Sequence, residues 1–238
     1  MALDFPASPT DGMVYQNYVW SSTDGVWRAS NSAQTFPVQI SNGGTGATTV
    51  DAAQDTLGIG MVRMVPPTVN FSGGAATVNS LGIISFTSVT SISLNNVFSS
   101  NYNSYRILVG GGLIASTTYP ILGMRMRNAG TDRTSGYQTY GFSFYGVTYS
   151  NIGVATSYAH IGPMTNFTIN AADITILNPA LNKDTVWFSS SFGANGSGNG
   201  YTSTGGYDNG GSLTFDGFTL LPTSGNMTGN VQVLAYNS

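Results

Sequence analysis

The only histidine in the 238-residue sequence is His160. A Ser-His-Asp or Cys-His triad would therefore have to use its imidazole as the general base. His160 lies in the run 158–162, where it fits a strand residue with a hydrogen-bonded ring equally well. Because geometry and not mere presence identifies a general base, we favour the structural interpretation.

Enzymes that cleave glycosidic bonds use a pair of carboxylates, one as acid and the other as nucleophile or base. The sequence contains no glutamate, so the candidates are aspartates, namely Asp132, Asp173, Asp184, Asp208 and Asp216. Most of them adjoin turn residues, where aspartate has a structural use. We therefore expect no enzymatic activity.

Metal and phosphate sites are equally weakly indicated. Asp208 and Asp216 could supply oxygen ligands to Ca²⁺, but their spacing is not that of an EF-hand loop, and Asx-turns explain them better. The glycines of 43–46 are not followed by lysine, and Ser203 stands where the third glycine of a dinucleotide fingerprint belongs. We expect no cofactor and no metal.

The candidate surface contacts in the sequence are aromatic residues. Val186, Phe188 and Phe192 alternate with Trp187, Ser189 and Ser191. This pattern predicts that the first three residues face the core and that Trp187 projects from a serine-lined face. An exposed indole could stack on a sugar ring or fill a subunit interface, and we favour the interface.

Tyr201 and Tyr207 stand in the glycine-rich segment 193–212, which has no periodic pattern. Segments of this kind are typical of exposed functional loops. The two tyrosines, together with Trp187, are therefore the candidate receptor contacts, with a merely flexible loop as the alternative.

Few residues are charged: ten aspartates oppose seven basic residues, for a net charge of −3. With no cluster of cations, nucleic acid is an improbable partner. No apolar run approaches the length of a membrane span, and no export signal is recognisable at the N-terminus. We expect synthesis in the cytoplasm without membrane insertion.

Abundant Thr, Val, Ile and aromatic residues separated by Gly, Asn and Ser turns indicate an all-β class. The predicted strands are 82–94, 104–110, 120–127, 137–147, 167–177, 185–192, 213–220 and 230–236. Leu122, Met124 and Met126 alternate with Arg125 and Arg127, which predicts one buried and one wet face. Residues 62–238 are thus expected to form a jelly-roll-like β-sandwich.

Residues 1–36 are predicted to form a small β-hairpin region that turns at Asp24-Gly25. A hairpin this short is marginal alone, so its aromatic residues are expected to bury against the particle or a neighbouring subunit. These virion-attachment or interface candidates are Phe5, Tyr15, Trp20 and Trp27.

Residues 37–61 carry the one convincing helix signal. Val50, Ala53 and Leu57 form a narrow apolar stripe, and Gly58 can end the helix. So short a helix is not stable in water by itself, which makes these three residues further interface candidates.

Two segments resemble bacteriophage proteins. The run 42–49, followed by Ala52-Ala53 and Leu57-Gly58, resembles the GGTGATT collar motif of bacteriophage tail fibres, and residues 3–27 resemble an N-terminal repeat of phage virion proteins. More weakly, the segments 102–109, 124–127 and 224–234 resemble a β-sandwich module placed at the end of many phage fibres.

The resemblance implies a homotrimer that attaches to other virion proteins and to a host-surface glycan or protein receptor. The leading hypothesis is therefore a short tail-fibre-like virion component that adheres to the host through its sandwich. A capsid decoration or baseplate subunit without receptor binding is the alternative, and a polysaccharide-degrading tailspike is a third.

Overall fold

The computed structural model describes residues 5–29, 47–48, 53, 56–57, 60–145, 148–195, 198–208 and 213–236. The chain divides into two compact units, Met1–Leu57 and Gly58–Ser238. Nearly all regular structure among the described residues is β-strand, which confirms the predicted all-β class. In the described part of the chain, no helix has the length and apolar character needed to cross a membrane.

The first unit contains a three-stranded antiparallel sheet of β1 (Val14–Tyr15), β2 (Tyr18–Ser21) and β3 (Val26–Ala29). The turn between β2 and β3 closes with a 2.8 Å hydrogen bond from the Gly25 amide to the Ser21 carbonyl. Gly25 has φ = +66°, a conformation that glycine adopts without steric cost. The predicted hairpin is confirmed.

The predicted collar falls largely outside the described residues, and Val50 is among those left out. Ala53, Thr56 and Leu57 are helical where the sequence predicts a helix. The side chain of Leu57 is half-exposed.

The second unit contains fourteen of the described strands, joined in one antiparallel sheet. They are β4 (Met61–Met64), β5 (Thr68–Val78), β6 (Ile84–Asn95), β7 (Ser104–Ala115), β8 (Ile121–Asn128), β9 (Thr131–Asp132), β10 (Tyr137–Tyr145), β11 (Thr148–Thr156), β12 (Ala159–Pro163), β13 (Asn170–Leu177), β14 (Val186–Asn195), β15 (Gly198–Asp208), β16 (Gly217–Pro222) and β17 (Met227–Tyr236). The main path runs β11-β10-β15-β14-β13-β7-β17-β6-β16-β8-β12.

Strand β6 carries the sheet from one layer of the sandwich to the other. Residues 84–89 pair with β17, and residues 92–94 pair with β16. Between these two sections Ser88 has φ = +53°, and the facing strand β5 shifts register at Ser72/Gly73. Such bulges bend a strand and strengthen its twist, which lets one strand serve both layers.

The curled sheet closes where β12, at one end of the path, lies against the inner face of β14 and β15. The Thr204 hydroxyl donates to the His160 carbonyl at 2.8 Å, and the Ser189 hydroxyl donates to the Ile161 carbonyl at 3.2 Å. Gly162 permits this approach, because a Cβ there would lie 1.9 Å from the Ser191 hydroxyl oxygen. The result is a β-sandwich, as predicted.

The core between the layers is rich in large side chains. Its largest fully buried members include Trp187, Tyr105, Tyr137, Phe86 and Phe218. Leu122, Met124 and Met126 are buried, as the alternation in β8 predicts. The core extends through the whole second unit in one cluster, whereas the described residues of the first unit contribute none of its buried members.

Arg127 and the segment 193–212 differ from the sequence predictions. Arg127 is not on a wet face but 7% exposed, because Asp132, Asn95 and Thr219 receive its guanidinium donors. The segment 193–212 is not predominantly a loop, since residues 198–208 form β15 and pair with both β10 and β14.

Candidate ligand-binding face

The inner and outer faces of β14 are the reverse of the sequence prediction. Trp187 is fully buried and packs at 5.9 Å from the ring centroid of Tyr137, so it is neither a receptor contact nor a subunit contact. Its neighbours Phe188 and Phe192 are 54% and 45% exposed. The alternation predicted from the sequence is present, but the buried residues are those predicted to be exposed.

The reversal has a physical cause in the small polar residues of the two strands. Ser189, Ser191 and Thr204 are buried because carbonyl groups of β12 accept their hydroxyl protons. A hydroxyl that is hydrogen-bonded can be buried without the usual penalty. The bulky aromatic residues of the same strands are thereby left on the outer face.

One half of this outer face carries the feature that we call the aromatic platform. It consists of six aromatic side chains that are 37–58% exposed: Tyr140, Phe142, Phe144, Tyr149, Phe188 and Tyr207. Their rings pack together in part, with Phe144 and Tyr149 at 5.3 Å between ring centroids and Phe142 and Phe144 at 5.5 Å. Tyr207 also lines a shallow hollow with Tyr140 and Asp184.

The other half contains a groove with a volume of about 500 Å³, a size typical of ligand sites. Phe192 and Tyr201, which are paired across β14 and β15, form its aromatic wall. The floor is formed by small residues of β13 and β7, including Ala171 and Gly110. Strand β17 contributes the opposite side.

The groove brings together polar side chains of several kinds, from Asp173, Ser190, Asn230 and Gln232. The hydroxyls of Ser190 and Tyr201 are 2.9 Å apart and hydrogen-bonded to each other. These carboxylate, amide and hydroxyl groups provide both donors and acceptors beside an aromatic ring. Such a combination suits a ring-shaped ligand that has an apolar face and carries hydroxyl groups around its edge.

Asp173 is the one charged residue among those that line the groove, and its charge is paired. The Arg106 guanidinium donates through Nε to both carboxylate oxygens, at 2.9 and 3.1 Å. This ion pair raises the pKa of Arg106 above its ordinary value. The groove is therefore close to neutral, and it has no spare cation for an acidic ligand.

Three of the aspartates considered for catalysis are held by structural partners. Asp132 is bound by Arg127, Asp208 by Arg133, and an oxygen of Asp216 accepts the Ala129 amide at 2.9 Å. His160 lies on β12, where burial lowers the pKa of its imidazole. Of the five aspartates, Asp173 alone lines the groove.

The N-terminal candidates form a cluster of their own in the first unit. Phe5 stacks on Trp27 at 5.1 Å between ring centroids, and Tyr15 and Trp20 lie at 6.2 and 5.6 Å from Trp27. All four remain half-buried, so the cluster is incompletely covered by the described part of the unit.

Comparison with known proteins adds only a distant structural likeness. No protein-family model matches the chain, and no curated protein matches its sequence. Among solved structures, the chain is similar to arcelin-5, a lectin-like defense protein from Phaseolus vulgaris. The alignment covers 75% of this chain and 99% of that one, at 12% identity and a TM-score of 0.20.

The sequence analysis named two residues that line the groove, Tyr201 as a receptor contact and Asp173 as a carboxylate candidate, but missed the rest. Phe192 was assigned to the core, and Ala171, Asn230 and Gln232 carry no local signal. Their side chains meet because β13, β14, β7 and β17 lie side by side, which is a property of the sheet order. The opposite phase of the alternation in β14 would have placed Phe188 and Phe192 on the outer face.

Proposed function

We propose that this protein is a structural component of a bacteriophage particle, similar to a short tail fibre, that adheres to the host through a neutral surface glycan. The observation that carries the adhesive part is the groove, where Phe192 and Tyr201 stand beside Asp173, Asn230 and Gln232. Aromatic rings stack on the apolar faces of sugars, and the polar groups bind the hydroxyls.

The N-terminal region is the proposed attachment site to the virion. Its half-buried cluster of Phe5, Tyr15, Trp20 and Trp27 suits a contact with another virion protein. Assembly as a homotrimer, which the collar resemblance implies, would present three grooves at once. Several weak grooves acting together give firm adhesion through effective concentration.

The test is binding of the full chain to a panel of immobilised neutral bacterial surface polysaccharides. We expect retention on at least one of them, and Ala171→Trp, which fills the groove floor, abolishes it. Thr175→Trp is the matched control, because Thr175 lies on the same strand and face but outside the groove. Equal loss with both variants, or retention by Ala171→Trp, would show that the groove is not the site.

The alternative role as a capsid decoration or baseplate subunit draws support from the aromatic platform, which suits protein contacts. The same panel separates the two, since a cementing subunit binds none of the polysaccharides. A reducing-end assay on each retained polysaccharide tests the tailspike alternative. New reducing ends that disappear in Asp173→Asn would replace adhesion with cleavage.

A further inference from the structure

We infer that the aromatic platform is a self-association surface. The platform of one copy of this chain packs against the platform of a second copy. The platform adjoins the proposed glycan groove but is not part of it. The inference goes beyond the proposed adhesion, because it concerns how copies of the sandwich contact each other.

The exposed apolar area of the platform is at the upper limit for a monomer. With about 200 Å² for a fully exposed aromatic residue, six rings that are roughly half-exposed present about 600 Å². The largest apolar patch on a typical monomeric protein spans about 300–600 Å². Water contact over so large an aromatic area is costly, and association removes it.

The same area approaches what a stable interface needs. A standard interface buries about 800 Å² on each side. The residues between the rings, such as Gln138, Ser203 and Gly205, supply the remaining area when two faces meet. Two platforms can therefore form an interface without rearrangement of the sheet.

The lack of charged residues on the platform strands favours a second copy of this chain over a strongly charged partner. The outward residues of β10, β14 and β15 that the structure describes within the platform include no lysine, arginine, aspartate or glutamate. The one carboxylate beside these rings is that of Asp184, which is exposed and lines the hollow with Tyr140 and Tyr207. An acidic partner would find no opposite charge there, and a basic partner only this one. Two copies of the platform, by contrast, bring no charged residue of the three strands together.

The platform also alternates large and small groups in a way that suits packing against itself. Across the sheet, Phe188 and Tyr140 flank Gly205, and Gly153 follows Tyr140 in the same row. The Phe188 ring already lies over Gly205, whereas the space above Gly153 is open, so a ring of one copy can enter the low position at Gly153 of the other. A closed association of two or three copies would leave no platform exposed.

The test uses single cysteines, which the sequence allows because it contains none. Tyr140→Cys places a thiol in the middle of the platform, at a residue that is 58% exposed, and Phe71→Cys places one on β5 outside it, at a residue that is 47% exposed. With a short bismaleimide at micromolar protein, we expect covalent dimers from Tyr140→Cys at least tenfold in excess of those from Phe71→Cys.

Two further ring losses, Phe144→Ser and Tyr149→Ser, are then added to Tyr140→Cys. We expect linking to fall by about tenfold or more, since truncating a central interface ring typically costs more than 1 kcal/mol. An unchanged thermal midpoint at low concentration shows that the variant is folded. Absence of linking at Tyr140→Cys, equal linking at both positions, or a sedimentation mass of one chain for the unmodified protein would overturn the inference.

These outcomes are independent of the polysaccharide panel. A chain that binds glycan but is not linked refutes self-association alone. A chain that is linked but binds no glycan refutes adhesion through the groove alone.

Discussion

Replacing Trp187 by alanine tests the placement of the two faces of the outer layer. Trp187 is fully buried against Tyr137, and sequence alternation had placed it outside. Truncation leaves a cavity in the core, and substitutions of this kind cost about 3–5 kcal/mol. The matched variant is Phe192→Ala in the same strand, where the ring is 45% exposed.

The magnitude can be worked from burial. Removing an indole that buries about 200 Å² forfeits about 5 kcal/mol at 25 cal/mol per Å², which is an upper value. The indole Nε1 is buried with no hydrogen-bond partner among the described residues. Loss of that unpaired donor returns about 1–3 kcal/mol. The net loss is about 3 kcal/mol, compared with about 1 kcal/mol or less for Phe192→Ala.

The assay is urea unfolding of the full chain, followed by far-UV circular dichroism at low protein concentration. We expect Trp187→Ala to lower the free energy of unfolding by about 3 kcal/mol with little change in the slope. Trp187→Phe should cost much less, because it keeps a ring and removes only the unpaired donor and part of the area. A larger loss for Phe192→Ala than for Trp187→Ala would refute the assignment of the faces.

Three other substitutions test contacts within the core and the pH dependence of stability. Asp132→Ala leaves the buried Arg127 guanidinium without its carboxylate, so we expect a loss of about 3–5 kcal/mol in urea unfolding, and a loss below 1 kcal/mol would contradict the ion pair. Gly206→Ala places a Cβ 1.9 Å from the Gln138 carbonyl oxygen, and we expect a lower thermal midpoint and about 2 kcal/mol of destabilisation, with an unchanged midpoint as the contrary result. Because burial lowers the pKa of His160 in the folded state, stability should fall as pH drops below 6.5, where the unfolded imidazole takes up a proton first. His160→Gln should remove that part of the pH dependence, and an identical profile in both proteins would contradict it.

The fold class was accessible from the sequence because strand periodicity and turn residues are local properties. Alternation in β8 correctly placed Met124 and Met126 in the core. The hairpin at Asp24-Gly25 was accessible for the same reason, since a turn is decided by a few adjacent residues.

Properties that depend on distant strands could not be predicted from the sequence. The period of two in β14 is visible, but which face is buried depends on the carbonyl groups of β12 that accept from Ser189 and Ser191. The glycine-rich composition of β15 favours a loop, whereas pairing with β10 and β14 on both sides holds it as a strand. Arg127 is buried because Asp132 and Thr219 are brought beside it by the fold.

The groove is the feature that depends most strongly on this long-range order. It is also the site of the proposed adhesion. The most direct measurement is a crystal structure of the full chain with an oligosaccharide from a retained polysaccharide. We predict a sugar ring stacked on Phe192, with hydroxyls hydrogen-bonded to Asp173 and Gln232. A saccharide bound elsewhere on the chain, with the groove empty, would contradict the account.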